Sequence, residues 1–590
     1  MSTTMNDAMT EFARGGPRLR DGAESFEPYA PAAAGPFIDL YLDANEGPDW
    51  RDDPALDDDG DGPTSERARR YPSAAELERR IASDLGVDAS CVLLTAGGDD
   101  AIDRLCRVTL QPGRTLLYPS PSFEMIRRSA LLAGAAVETV DWPIGGGFPA
   151  SEVIGRVKPS VGLISMVSPN NPTGAVIEAE ELARVARAAE RTTLLVDLAY
   201  AEFAEEDLTR AALSLPNAVV VRTFSKAWSM AGLRVGYAAG PAAIIRAMRA
   251  AGSPFPCAGP SIATVSRRYL SGIGRVRAVV ERVKAERELL TRRLRELGAE
   301  ATPSQANFVL ARFERAELVW RMLGSLGVAV RRFESERLAS WLRITCPGDE
   351  RQFRRLLRAL ECVLKPGALL FDMDGVLADT SRSYRRAIIE TAAGFGVRVS
   401  EEELAAQVRA GDANNDWITT RRLLAARGVD VSLEAVTERF ERLYQGAAGA
   451  PGLRETETLL IGPEVLRRLA ERRPLAVVTG RPRADAEHFL RRFGIAEVFT
   501  TMVCMGETER KPSPAPVQRV LRTLGVSGAW MIGDTPDDVR AARAAGVVPL
   551  GVVAPGEAED GRAREAMKAC GAAMVANDAA ELVSVLEAAR

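Results

Sequence analysis

The sequence predicts an α/β protein built from two different α/β segments in series. Three observations carry this expectation. From about Tyr71 to Gly240, short β-branched runs alternate with Ala/Arg/Glu-rich helical stretches. The alternation restarts at KPGALLFDMD, with Lys365 at its head, and the chain of 590 residues is too long for one hydrophobic core.

Taken in order, residues 1–35 are polar and rich in Gly, Pro and Ala, which predicts a loose N-terminal arm. The stretch WRDDPALDDDGDGP alternates Asp57, Asp59 and Asp61 before Gly62, in the manner of a calcium loop. The twelfth position is Ala68 rather than Glu, and Pro63 follows the glycine, so a solvated acidic loop is expected. CVLLTAGG, RTLLYPS, VGLISMVSP, TTLLVDLAY and AVVVRTFSK are short buried-strand runs between helices, the pattern of a mainly parallel sheet. Residues 275–365 are helical and then mixed, as in a smaller α+β domain. The second α/β pattern runs through the strands RPLAVVTG and GAWMIGD, with a helical, strand-poor insertion of about Ser383 to Pro451. Only Lys365, Pro366 and Gly367 separate the last helix of the first half from the first strand of the second, so a close joint is expected.

Composition excludes several classes. A net charge of −4 gives neither a basic nucleic-acid footprint nor a polybasic lipid anchor. The start, MSTTMNDAMTEFARGG, does not read as a secretory signal, and no apolar run reaches the roughly 20 residues of a membrane span. Seven scattered cysteines without a C-x-x-C pair fit reduced thiols, and a cytoplasmic location is expected. The single histidine, His488, leaves Lys, Asp and Tyr as the acid–base groups.

Several signals fall at predicted strand ends, where open α/β sheets place ligands. VRTFSKAWSMAGLRVGY combines Lys226, flanked by hydroxyls, with Arg234 eight residues on. VDLAYAEF ends a strand on Asp197 with Tyr200 beyond it, and SPNNPTG holds Asn171 in a rigid turn. LTAGGDDAI runs through Gly97 and Gly98 into a helix opened by Asp99 and Asp100, a ready anion site. With LDANEGP, RYP, PSFEM, ANFVLARF and LRITCPG in the same order, residues 38–362 resemble the histidinol-phosphate aminotransferases, which have the type I fold of pyridoxal-phosphate enzymes. The resemblance implies a large α/β domain at about 70–255 and a small α+β domain at about 36–69 and 256–364. It implies that Lys226 forms the Schiff base to pyridoxal 5′-phosphate and shuttles the proton, while Asp197 keeps the ring nitrogen protonated. Tyr200 and Asn171 would bond the 3′-oxygen and Phe123 would stack on the ring. Gly98, Asp99, Thr223, Ser225 and Arg234 match the phosphate cup, and Tyr71 matches a tyrosine that reaches the neighbouring subunit's cofactor, which implies a homodimer. Arg343 matches the substrate arginine, with Arg331 as companion for an anionic group. Two positions depart from the pattern: Leu198 stands where an acidic residue is usual, and the acidic loop 49–63 replaces a short turn.

In the second half, FDMDGVLADT ends a strand on Asp372 and Asp374, VVTG ends one on Thr479, KPSP presents Lys511, and MIGDTPDD ends one on Asp534 with Asp538 beyond. Residues 366–590 therefore resemble the haloacid-dehalogenase-like phosphohydrolases of the phosphoglycolate-phosphatase-like branch. This implies a Rossmannoid core at 365–382 and 452–590, with a helical C1 cap at about 383–451. Asp372 would attack phosphorus, Asp374 would act as acid and base, and Thr479 and Lys511 would bind phosphoryl oxygens. Mg²⁺ would be held by Asp372, the Asp374 carbonyl and Asp534, with Asp538 in support. The cap cluster GDANNDW, Gly411 to Trp417, is a candidate selector of substrate, and a plain helix–loop is the alternative.

Together these imply a two-enzyme fusion: glutamate-dependent amination of imidazole-acetol phosphate or a similar keto phosphate, and hydrolysis of a phosphomonoester. Three alternatives stay open. They are a threonine-phosphate decarboxylase-like reaction on the same scaffold, a pyridoxal-phosphate-binding transcription regulator, and a second half without chemistry.

Overall fold

The computed structural model describes residues 37–42, 72–410, 415–447, 450–555 and 561–587. Tyr71, the N-terminal arm and the acidic loop 49–63 lie outside the described residues. Those described pack as two units, one of residues 72–272 and one of 37–42 with 273–587.

The first unit is built on a seven-stranded sheet. Its order is Val92–Thr95, Gly236–Ala239, Ala218–Thr223, Thr193–Asp197, Val161–Val167, Thr115–Ser120, Ala136–Asp141. Gly236–Ala239 runs antiparallel to both neighbours, and the other strands share one direction. Val161–Val167 and Ala218–Thr223 are buried at every residue, which is why they read as unbroken apolar runs rather than alternating ones. Alternation survives as a division between two cores. Ile164, Leu194, Val196 and Val220 enter one, while Leu163, Leu195, Val219 and Val221 enter the other. Truncating any of these leucines to alanine costs about 2–5 kcal/mol.

The second unit contains two sheets. A five-stranded one runs Leu40–Leu42, Val328–Arg332, Trp341–Thr345, Phe308–Arg312, Glu300–Ala301; the helices Ile273–Glu296 and Ala316–Ser325 pack on it, and Glu350–Leu364 packs on those two helices. The other is a six-stranded parallel sheet in the order Phe499–Val503, Leu475–Val478, Leu369–Phe371, Trp530–Gly533, Val548–Val552, Met574–Ala576. The first of its strands in sequence is flanked on both sides by later ones, so the strand order reverses there and leaves a crevice at the carboxyl ends. Four helices, Tyr384–Gly394, Glu401–Ala410, Asp416–Ala425 and Leu433–Gln445, form the insertion, with their own core around Leu424, Val436 and Phe440.

The two sheets of this unit are tied across the short joint. The helix Glu350–Leu364 starts at Asp349, whose carboxylate caps it by accepting from the Gln352 amide at 2.8 Å. Near its end, the Cys362 carbonyl accepts from Trp530 Nε1 at 2.9 Å. Further along, Arg543 Nε donates to the Ser325 carbonyl at 3.2 Å. Among the described residues, no helix is long and apolar enough to cross a membrane. The seven cysteines are unpaired with one another.

Candidate active sites

The first site gathers at the ends of the strands Thr193–Asp197 and Ala218–Thr223. Asp197 is buried and accepts one hydrogen bond, from the Ala199 amide at 3.0 Å. Burial, with the charge of Asp99 adding to it, pushes its carboxyl up to about 7 against the pull of the Ala199 amide and Lys226. A carboxylate so placed gains by meeting a cationic ring nitrogen. Lys226 Nζ lies 5.7 Å from the centre of the Tyr200 ring, and Tyr200 is itself buried.

Around them lies a cup. The Ser225 amide donates to Thr223 Oγ1 at 3.1 Å, and the two hydroxyls are 2.8 Å apart. Gly97, at φ +83°, turns the chain into the helix Gly98–Thr109, and a Cβ there would stand 2.7 Å from Arg234 Nη2. The missing side chain lets a guanidinium lie against a helix N-terminus, two favourable sources of field for an anion. Arg234 meanwhile pairs with Asp99 at 3.3 Å. Asp100 is taken up locally, accepting from the Ala96 amide at 2.9 Å and from Arg104 Nε at 2.8 Å. A phosphate-bearing aromatic cofactor with a basic ring nitrogen fits this set of groups.

The supports were not legible in the motifs. Asn170, fully buried, locks the turn that carries Asn171: its Nδ2 donates to the Pro121 carbonyl at 2.9 Å and its Oδ1 accepts from Ser122 Oγ at 2.7 Å. Glu202 braces the lysine loop by pairing with Arg222 at 2.8 Å and accepting from Trp228 Nε1 at 3.3 Å. Phe123 is half-buried before the helix Glu124–Leu132 and packs against the core. In the second unit, Arg331 and Arg343 are register partners on adjacent strands, and the buried Arg343 guanidinium lies 5.2 Å from the Phe308 ring centre.

The second site sits where Leu369–Phe371, Leu475–Val478 and Trp530–Gly533 end, on Asp372, Thr479 and Asp534. Carboxylate oxygens of Asp372, Asp534 and Asp538 lie within 4.8 Å of one another. Burial pushes the Asp372 carboxyl up, Lys511 opposes this, and Asp538 and Asp374 add to it. Buried Lys511 is shared, 2.9 Å from Asp372 and 2.5 Å from Asp538. Burial pulls its ammonium down, but those two carboxylates outweigh this and hold it above its usual range. Asp538 also closes a capping box, accepting from the Thr535 amide at 3.1 Å, and accepts from Thr535 Oγ1 at 2.6 Å. Three carboxylates against one lysine leave an excess of negative charge with oxygen donors, the setting of a hard divalent cation.

The Asp374 carboxylate is not among the three. It pairs with Arg481 at 2.6 Å, and Arg481 also pairs with buried Glu457 at 3.0 Å while lying over the Tyr384 ring at 4.8 Å. Arg481 follows VVTG directly and could have been noticed; Glu457 carries no local signal. The cap adds Asp416 and Trp417, which line the same cavity as Asp372 and Asp374. Burial, reinforced by Asp374, pushes the Asp416 carboxyl up to about 7, against Arg481 and Arg385. Residues 411–414 of the cap cluster lie outside the described residues.

The aminotransferase class I and II family profile matches residues 46–360, more than half of the chain. The chain belongs to the class I and II aminotransferases. A second family profile, haloacid dehalogenase-like hydrolase, matches residues 366–546, so this aminotransferase is fused to a hydrolase-like domain. It is 33% identical to a histidinol-phosphate aminotransferase of Caldanaerobacter subterraneus subsp. tengcongensis, over 52% of this chain and 89% of that one. It is 48% identical over 196 residues to an imidazoleglycerol-phosphate dehydratase of Phytophthora nicotianae, 32% of this chain, and spans only 43% of that relative's length. The histidinol-phosphate aminotransferase of Sinorhizobium meliloti, solved with pyridoxal-5′-phosphate, shares the fold at a TM-score of 0.54, 21% identity, 60% of this chain and 99% of its own.

Proposed function

We propose that this chain is a bifunctional enzyme, with the activities divided near residue 364: amino transfer from glutamate to a phosphorylated ketone of the imidazole-acetol phosphate type, and hydrolysis of a phosphomonoester. The observation that carries this is the presence of two separate sets of reacting groups, each at the carboxyl ends of its own sheet. The matching family profiles and the histidinol-phosphate aminotransferase relative support it.

In the first site, pyridoxal phosphate would supply an electron sink for the pair left at the substrate Cα. Asp197, whose carboxyl burial pushes up to about 7, gains a charge partner by holding the proton on the ring nitrogen. Lys226 moves the proton between the substrate Cα and the cofactor C4′. Asn171 and Tyr200 orient the ring oxygen. Thr223, Ser225, Arg234 and the turn at Gly98 and Asp99 anchor the phosphate. In the second unit, Arg343 and Arg331 are the groups that the family resemblance assigns to an anionic part of the substrate.

In the second site, Mg²⁺ would neutralise charge so that a carboxylate can approach a phosphate. Asp372 attacks phosphorus and takes the phosphoryl group, held by Thr479 and Lys511. Asp374, oriented by Arg481, gives its proton to the leaving alkoxide and then takes one from the water that frees phosphate.

The test is the full-length protein with pyridoxal phosphate, Mg²⁺, glutamate and imidazole-acetol phosphate, following 2-oxoglutarate, carbon dioxide and inorganic phosphate. We expect 2-oxoglutarate without carbon dioxide, and phosphate release that depends on Mg²⁺. Carbon dioxide without 2-oxoglutarate would overturn the transfer assignment.

A further inference from the structure

The phosphatase cavity is lined by two groups of residues of different chemistry. One is Asp372, Asp374 and Asp534, which the second proposed activity uses. The other comes from the cap, where the helix Asp416–Ala425 begins: Asn415 caps it by accepting from the Ile418 amide at 2.9 Å, and Asp416 and Trp417 line the cavity wall. Neither residue has a part in phosphoryl transfer.

A phosphate ester entering the cavity meets, besides the groups that the phosphoryl-transfer scheme uses, a carboxyl and an indole on one stretch of wall. Arg481, which lines the same cavity, is committed, buried between Asp374 and Glu457. A positive charge on the leaving alcohol would pair with the Asp416 carboxylate. Trp417 beside Asp416 strengthens the preference, because an indole face attracts cations. The same wall repels an anionic leaving group.

We propose that Asp416 and Trp417 are specificity residues that select phosphomonoesters whose leaving alcohol carries a cationic nitrogen. This rests on the phosphatase assignment and names its substrate class. It also links the two sites through chemistry: amino transfer to a keto phosphate creates a phosphate ester bearing a new ammonium group. The cap would then admit the aminated phosphate and discriminate against the ketone from which it came.

The test uses full-length protein with Mg²⁺ and three esters of similar size: 2-aminoethyl phosphate, the isosteric 2-hydroxyethyl phosphate, and phosphoglycolate. p-Nitrophenyl phosphate serves as a general ester. Wild type is expected to favour the amine over the neutral ester in kcat/KM by about tenfold or more, with phosphoglycolate last. Asp416→Asn should bring the amine-to-neutral ratio close to one, and Asp416→Glu should restore part of it. Equal turnover of amine and neutral ester by wild type overturns the proposal without any variant, and so does an unchanged ratio in Asp416→Asn. Hydrolysis of p-nitrophenyl phosphate without a preference for the amine refutes this inference alone. No phosphate from any of the four esters refutes the phosphatase assignment, and this inference with it.

Discussion

Gly375 follows the Asp372–Asp374 pair and sits at φ +70°, a left-handed conformation that costs an L-residue about 1–2 kcal/mol. A Cβ built there stands 2.1 Å from Asp534 Oδ2, 2.6 Å from its Cγ and 3.0 Å from the Ala554 Cβ. Carbon and oxygen in ordinary contact need about 3.5 Å, so in Gly375→Ala the Asp534 carboxylate must retreat by more than about 1 Å. That motion takes it out of the group it forms with Asp372 and Asp538. A misplacement of about 1 Å at a reacting centre costs on the order of 100-fold. Phosphate release by the variant, titrated with Mg²⁺, should need more Mg²⁺ for half-maximal rate and fall by about that factor, while glutamate-dependent transfer is retained. An alanine variant with wild-type Mg²⁺ dependence and turnover would show that Asp534 does not hold the ion.

Three further outcomes follow from particular contacts. Asp197 titrates at about 7 when folded against 3.8 as a free side chain, so the folded state binds the extra proton and loses stability as pH rises from about 4 to 7. Asp197→Asn should therefore stabilise cofactor-free protein at pH 8, by at most about 4 kcal/mol, with no gain at pH 4; thermal melts in which wild type is the more stable at pH 8 would contradict this. Arg481→Met strands Glu457 in the interior and unpairs the partly exposed Asp374, and should cost about 3–5 kcal/mol in denaturant melts. Adding Glu457→Gln should recover part of that loss, and strict additivity would argue against a shared network. Trp530→Phe removes the hydrogen bond to the Cys362 carbonyl and should cost about 1 kcal/mol, read by urea unfolding; no change would mean that this tie between the two sheets of the second unit carries no energy.

Much of the frame of the candidate sites is legible because strand ends announce themselves. A buried parallel strand is a short apolar run, and the polar residue that stops it, Asp197, Asp372, Thr479 or Asp534, stands at the crevice. Residues that act through others were not legible. Glu457 meets Arg481 across 24 residues and Ser383 across 74, and neither spacing leaves a mark in sequence. Asn170 reads like its neighbour Asn171, yet its whole side chain is spent on fixing the turn. The antiparallel strand Gly236–Ala239 was also missed, since a short GYAA run has neither the length nor the branching of its neighbours. Asp416 lies in the cap cluster that the sequence offers as a candidate selector of substrate, and its place on the cavity comes from the fold, not from any local pattern.

The most direct test of a two-site enzyme is separation of function in the intact chain. Lys226→Ala and Asp372→Asn, each assayed for glutamate-dependent transfer and for Mg²⁺-dependent phosphate release, should each abolish one activity and retain the other. Full phosphatase activity in Asp372→Asn, or transfer surviving in Lys226→Ala, would contradict the assignment of those residues. Loss of both activities in either variant would contradict two independent sites.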